Sequence, residues 1–556
     1  MLDNKACSDP SGKQPSGLRI GIIGGGMSGI CMACKLLEAL PGSEVTLFEL
    51  NDQLGGTWYT HRYPGVACDS PSHLYSFWFS PNPGFKSKFA SGNENLTYLQ
   101  AVARKHDLDR FVRYRTEVKA AQWDAKKMVW HTTVRDLAEP VGAEPKEYDF
   151  DVLISCAGGQ RNPIKPSNIV DHFAGPVYHS SEYPRDLDLA SKRVAVVGTG
   201  SSSIQIVPAL TTFPESQRPS EIHVFQKSPG WVLKLPRGRF SSTVCKAFEL
   251  LPWLLWLYRA VLLIYYDIFI HWLLRKEDMM RSYALSALTT QINTDSVLEN
   301  AASEKCSESE SGSSEDTICM GKDGKGDIDI AKLVESLSPE WSVGCRRVMV
   351  SDTFYPALLK KDVFFHPSQV KCVSSLDKRT LITSQGNGVQ VDAVILATGY
   401  NYHGWIRPLQ ITNDVGEELV DVWQTSEVRG RYFGLATSGF PNLFHLFGPA
   451  SRPGQGALST IAELQAGEII CCITELGKLP LKSCICVSIE AENRMARTIH
   501  EGIVDSPFAQ NCGGWYKNRK GFPSTLWPFT AFRFYRLLRS FDRKQTWLVS
   551  SPSTCT

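Results

Sequence analysis

Two glycine-rich turns in this chain are suited to receive phosphate. The first, Gly24-Gly25-Gly26-Met27-Ser28-Gly29, is entered from the apolar run 18–23, and Glu49 closes the next apolar run twenty positions beyond Gly29. In a turn of this kind Gly24 makes the bend, Gly26 lets the backbone approach a pyrophosphate, and Gly29 lets helix and strand pack closely. The following helix directs its N-terminus at the phosphates. Glu49 can accept hydrogen bonds from a ribose with free hydroxyls, as in FAD or NAD. The second turn, Gly198-Thr199-Gly200-Ser201-Ser202-Ser203, follows Arg193-Val194-Ala195-Val196-Val197 and leads into Ile204-Gln205-Ile206-Val207. Ser203 stands at the third glycine, small enough to keep the packing. The next strand ends in Gln226-Lys227-Ser228, where a cation and a hydroxyl suit a ribose 2′-phosphate and so NADP. Two different dinucleotides on one chain make a redox enzyme.

These turns require two strand-turn-helix units, and the chain is long enough for both. At 556 residues it exceeds one core, and two or three domains are expected. Lys and Arg number 59 against 57 Asp and Glu, with no long basic run, which argues against a nucleic-acid partner. The 16 cysteines lack regular spacing and read as buried thiols of a reducing compartment. Cys31 and Cys34 form a C-x-x-C within the first helix, where core packing is the expected role. No metal site is expected. Residues 1–16 lack the apolar core of a signal peptide and read as a disordered tail.

Between the two turns, Gly55-Gly56-Thr57-Trp58 and Tyr63-Pro64-Gly65 mark tight turns beside a ligand. Trp58 and Tyr63 offer surfaces for a ring system, and Asp69 a carboxylate next to it. The stretch Gly55 to Asp69 resembles the pattern [A/G]-G-x-W-x-x-x-x-[F/Y]-P-[G/M]-x-x-x-D of flavin-dependent Baeyer–Villiger monooxygenases, and every specified position is met. Phe173 to Pro184 is similar to the family's F-x-G-x-x-x-H-x-x-x-W-[P/D] fingerprint, with Tyr183 at the tryptophan position. Tyrosine there is the habit of related enzymes that oxidise nitrogen and sulfur. Gly344-Cys345-Arg346-Arg347 looks like the segment bearing the family's active-site arginine. Arg347 is the better candidate, with Arg346 in reserve. Ala397-Thr398-Gly399-Tyr400 and Phe440 to Phe444 are similar to the family's flavin-domain closing motifs, and Trp515-Tyr516 and Trp527-Pro528 to its C-terminal tail.

The resemblance implies an α/β fold with two Rossmann-like domains, one for FAD and one for NADPH, and a helical insert. The expected order is FAD-binding sequence over 18–160 and again over 391–556, and NADP-binding sequence over 161–238 and 344–390. The insert, 239–343, contains an acidic, serine-rich tract over 301–325 that reads as disordered. FAD contacts fall on Gly24, Gly26, Gly29, Glu49, Gly56, Thr57, Trp58, Asp69 and Tyr75. NADPH contacts fall on Gly198, Thr199, Gly200, Ser201, Ser202, Ser203, Gln205, Lys227 and Ser228.

In such enzymes NADPH reduces the flavin, which reacts with oxygen to give a C4a-peroxide. Arg347 would stabilise the peroxide anion and the oxyanion formed on a ketone, with Asp69 orienting it. The product would be an ester or lactone of a bulky apolar ketone. The alternative is N-, S- or C-hydroxylation on the same scaffold. A third reading is a reductase or binding protein that transfers no oxygen. The segment Leu250 to Leu274 is aromatic and apolar, but Arg259 and Asp267 interrupt it. A buried helical cap over the substrate cleft is expected, ahead of an interfacial helix making peripheral membrane contact. The implied location is cytoplasmic, or peripheral to an internal membrane.

Overall fold

In a computed structural model, the described residues are 17–550 except 141, 235–237, 304–317, 320–329, 455, 457, 515–516 and 519–520. The expected tail, most of the acidic tract, and Trp515-Tyr516 lie outside them.

Each glycine turn joins a strand to a helix beneath a parallel sheet. The first sheet is built from β1 (Arg19–Ile23), β2 (Glu44–Phe48), β3 (Val112–Arg113), β4 (Val152–Ser155) and β10 (Leu443–His445), in the order β10-β4-β1-β2-β3. Helix α1 (Met27–Ala39) leaves the first turn and packs on α6 (Leu458–Leu476). The second sheet holds β5 (Val177–His179), β6 (Arg193–Val197), β7 (Glu221–Phe225), β8 (Val363–His366) and β9 (Ala393–Leu396). Its parallel strands run in the order β8-β7-β6-β9-β5, with Ile318–Cys319 added antiparallel on β8, and α2 (Ser203–Thr211) leaves its turn. The residues of β1, β4, β6 and β9 that face the two cores are fully buried, as strands covered on both sides require.

The two units repeat one clamp. Arg19 donates through Nε and Nη2 to Asp151 at 3.2 and 2.9 Å, and Arg193 donates likewise to Asp392 at 3.2 and 3.0 Å. Each arginine stands five residues before the first glycine of its turn, and each aspartate immediately precedes a strand that pairs with the arginine's strand. β9 is thus to the second unit what β4 is to the first. This corrects the expected boundary at 390: 393–396 reads as flavin-domain sequence but pairs with β6 and β5 in the second sheet. A short apolar strand carries no mark of which sheet it joins.

The insert is helical over α3 (Ser242–Leu250), α4 (Pro252–Ile264), a π-turn Tyr265–Ile270 that continues to Leu274, and α5 (Glu277–Ser303). It does not form the expected buried cap. Arg259 and Asp267 are 2% and 6% exposed, whereas Trp253 and Trp256 are 62% and 59% exposed. The charges face the protein and the apolar side chains face outward. Arg259 Nη2 donates to Ser76 O at 2.8 Å and lies over Trp78, while Asp267 accepts from the N–H groups of Ala531 and Phe532 at the start of α7 (Ala531–Ser540). The tract 301–325 is not disordered throughout, because 301–303 close α5 and Ile318–Cys319 pairs antiparallel with β8.

Candidate functional site

One cavity of about 1090 Å³ runs between the two glycine turns. Every expected cofactor residue lines it except Gly29 and Ser203. Those two occupy the third glycine position, whose role is packing: a Cβ on Gly29 would lie 1.8 Å from Gly24 O, and Ser203 is fully buried. Gly24 and Gly198 adopt φ of +103° and +107°, and a Cβ on either would stand 2.6 Å from a carbonyl oxygen, of Cys156 and Ala397 respectively. Only glycine fits these bends. Around Gly200 there is open space in which a pyrophosphate can approach the backbone.

The first turn fits FAD. Glu49 accepts from Gly25 N at 2.6 Å and from Asn51 N and Nδ2 at 2.8 and 2.6 Å, so its carboxylate stands at the turn's mouth, where an adenosine ribose would meet it. Burial raises its pKa despite these hydrogen bonds. Gly56 opposes Gly26, and Thr57 Oγ1 donates to Gln160 Oε1 at 3.2 Å. Trp58 Nε1 donates to Tyr75 OH at 3.0 Å, with the two rings edge to face.

The second turn fits NADPH at its rim. Lys227 and Ser228 line the cavity, and Arg346 Nη1 donates to Ser228 Oγ at 2.9 Å, adding a second cation beside Lys227. Thr199 Oγ1 donates to Gln226 Oε1 at 3.3 Å. Gln205 has its side-chain amide turned to the other unit: Oε1 accepts from Tyr63 OH at 3.0 Å and Ala67 N at 3.3 Å, and Nε2 donates to Ala67 O at 3.0 Å. It ties the helix after the second turn to the loop leading to Asp69.

Asp69 and Arg347 meet on the cavity wall. Arg347 Nε and Nη2 each donate to the carboxylate at 2.7 Å, in the fork geometry that only arginine offers. Both side chains are about a quarter exposed, at 28% and 27%. Arg346 points elsewhere: it stacks on Trp341 and donates through Nε to Cys512 O at 2.6 Å. A disulfide joins Cys345 to Cys512, with Cα atoms 6.2 Å apart. This corrects the expectation of thiols throughout, since a pair 167 residues apart leaves no spacing to read. Cys31 and Cys34 are buried thiols in α1, as expected.

Sequence reasoning missed a histidine–tyrosine cluster on the same wall. His61 Nδ1 lies 3.0 Å from Thr57 O and therefore carries the proton, which leaves Nε2 to accept from Tyr400 OH. Burial lowers the His61 pKa to about 4, so the ring stays neutral at pH 7. The His179 ring stands edge-on to Tyr400, and its Nε2 donates to Gly399 O at 3.1 Å. Arg452, over Tyr402, is a further cation lining the cavity. The histidine of the second fingerprint was visible as a motif, but its partner lies 220 residues away.

Comparisons with known proteins find similar sequences and folds along almost the whole chain. The family described as NAD(P)-binding Rossmann-like domain matches residues 22–89, and the family L-lysine 6-monooxygenase/L-ornithine 5-monooxygenase matches residues 72–235. A Baeyer–Villiger monooxygenase of Pseudomonas aeruginosa is 28% identical over 96% of this chain and 92% of its own. One of Streptomyces coelicolor is 29% identical over 94% and 91%. An FAD-binding monooxygenase of Aspergillus niger is 27% identical over 93% and 79%. Among solved structures, cyclohexanone monooxygenase in its closed form superposes with a TM-score of 0.76 at 19% identity, covering 96% of this chain and 99% of that one. Oxidized steroid monooxygenase bound to NADP gives 0.75 at 20%, with 96% and 99% covered.

Proposed function

We infer that this chain, a flavin monooxygenase related to the Baeyer–Villiger enzymes, uses FAD and NADPH to insert one atom of O2 into a bulky apolar ketone, giving an ester or lactone. The observation that carries the reading is the Arg347–Asp69 pair, lining the cavity that both glycine turns line.

FAD, when bound and reduced by NADPH, supplies the activation of oxygen. The chain's own residues do the rest. Attack on a ketone carbonyl gathers negative charge on oxygen, first on the attacking atom and then on the former carbonyl. Arg347 presents a permanent cation there, and Asp69 fixes the plane of the guanidinium before reaction, so little reorganisation is needed as charge develops. Glu49 and the first turn set the depth of the flavin. Lys227, Ser228 and Arg346 form a site for a 2′-phosphate, and Gln205 holds the two units in one alignment. Neutral His61 keeps the Tyr400 hydroxyl proton directed at Nε2, so this pair adds no charge to the wall.

A second reading, oxygen transfer to nitrogen or sulfur, is favoured by Tyr183 at the fingerprint's tryptophan position and by the match of 72–235 to the lysine and ornithine monooxygenases.

Oxygen-18 separates the two. With NADPH, labelled O2 and a panel of bulky ketones, sulfides and amines, label is expected as an ester oxygen. Arg347→Ala should lose this by about 10²- to 10³-fold while NADPH still reduces the flavin. Label found only on sulfur or nitrogen, with Arg347→Ala unimpaired, would establish the second reading.

A further inference from the structure

We propose that the outer face of Leu250 to Trp272 is a membrane-docking surface, by which the enzyme lies flat on an anionic lipid leaflet. Eleven large apolar side chains between those two residues are each more than two-fifths exposed. They recur at helical spacing, as at Trp253, Leu257, Val261, Ile264, Ile268 and Trp272, and so form one stripe. Pro252–Leu274 is 23 residues long, about 35 Å of helix. No exposed charge interrupts the stripe, because its two charged residues are both spent inward: Arg259 on Ser76 O and the Trp78 ring, and Asp267 on the first N–H groups of α7. A contiguous exposed apolar stripe of this kind marks an interaction surface.

The stripe does not cross a membrane. α3 packs against α4 at one end, and at the other α5 returns to the body against Phe354–Leu358. Both ends of the helix therefore sit on the same side, and the buried charges fix which face points out. The arrangement is that of an interfacial helix, with tryptophan and tyrosine suited to the headgroup level.

The occupant is read from the rim. Exposed cations flank the stripe: Lys86 and Lys88, hydrogen-bonded through the backbone to Phe240 and Gly238 just ahead of α3, and Lys246 within α3 at one end, and Arg275 and Lys276 at the other, against Glu249, Glu277 and Asp278, of which Glu277 is turned to Ser342 and Gln510. A net positive rim complements anionic headgroups. A second copy of the chain would instead bring the same cations face to face.

The test is flotation of the FAD-loaded full chain with phosphatidylcholine vesicles, with and without phosphatidylserine. Wild type is expected to float, more so with phosphatidylserine and less at high salt. The double variant Trp256→Glu, Phe269→Glu is expected to fall about tenfold in bound fraction, with its flavin spectrum and melting temperature unchanged. Wild type that stays in the dense fraction with both vesicles overturns the proposal. So does a wild-type dimer by light scattering that the double variant abolishes while vesicle binding persists.

Discussion

Arg347 and Asp69 are 278 positions apart in sequence, yet their side chains close a two-bond fork. Asp69→Asn keeps the shape and removes the charge that holds the guanidinium. A loss of oxygen transfer near tenfold is expected, with Asp69→Glu recovering part of it and flavin binding unchanged by spectrum; equal loss of flavin would assign Asp69 to cofactor binding. Elsewhere in the interior, burial lifts Glu463 and Glu492 to about 7 from an ordinary 4.5. The native state therefore holds their protons more tightly than the unfolded chain does. The stability they contribute is whole below about pH 4.5 and is lost as pH rises toward 7. Buried His445, pushed down to about 3, acts oppositely, losing stability as pH falls below 6.5. Glu463→Gln, which keeps an acceptor for Trp78 N, should shrink the stability drop between about pH 5 and about pH 8 by roughly 2–3 kcal/mol in denaturant melts. An unaltered drop would mean that Glu463 is ionised in the fold. The glycines were legible because the tight bends at Gly24 and Gly198 admit no side chain and so impose residue type at fixed spacing, and Asp69 because it closes a motif of fixed spacing. The pairing of His61 with Tyr400 was not, since it depends on two units closing on each other.

At the level of elements, sequence pattern located the helices of the insert but not their orientation. Periodicity alone is the same whether the apolar face or the charged face meets the core, and Arg259 and Asp267 read as obstacles to lipid until the structure placed them inside. The turns, by contrast, carried strand, bend and helix together, and the repeated arginine–aspartate clamp shows why: each parallel sheet needs the same closure beneath its turn. The segment bearing Arg347 is tied by Cys345–Cys512 to the loop 510–514. Cys512→Ser is expected to cost about 2–4 kcal/mol of stability and to lower oxygen transfer more than NADPH-driven flavin reduction. Equal losses in both steps would show that the disulfide has no special bearing on the arginine.

Across the molecule, the second sheet is assembled from sequence between 177 and 396, with the helices of the insert looped out of it and Ile318–Cys319 returning to its edge, whereas the first is split across that whole span. A fragment of residues 17–160 is expected to lack a cooperative melt, because β10 and α6 are missing from its sheet edge and from α1; a sharp transition by circular dichroism would contradict this. The order of the two strand-turn-helix units along the chain follows the order of the two glycine turns, and 393–396, which reads as flavin-domain sequence, pairs in the second sheet.

That split sets a schedule for synthesis. α1 ends at residue 39, and the helix that covers it ends at residue 476. At typical elongation rates of about 5–20 residues per second, the first segment of the split sheet waits roughly 20–90 s on the ribosome with its apolar face uncovered. The unit built on the second sheet can close in the meantime, so the growing chain spends that interval as a finished domain carrying an unfinished one, and occupancy by chaperones should concentrate on the earliest residues made.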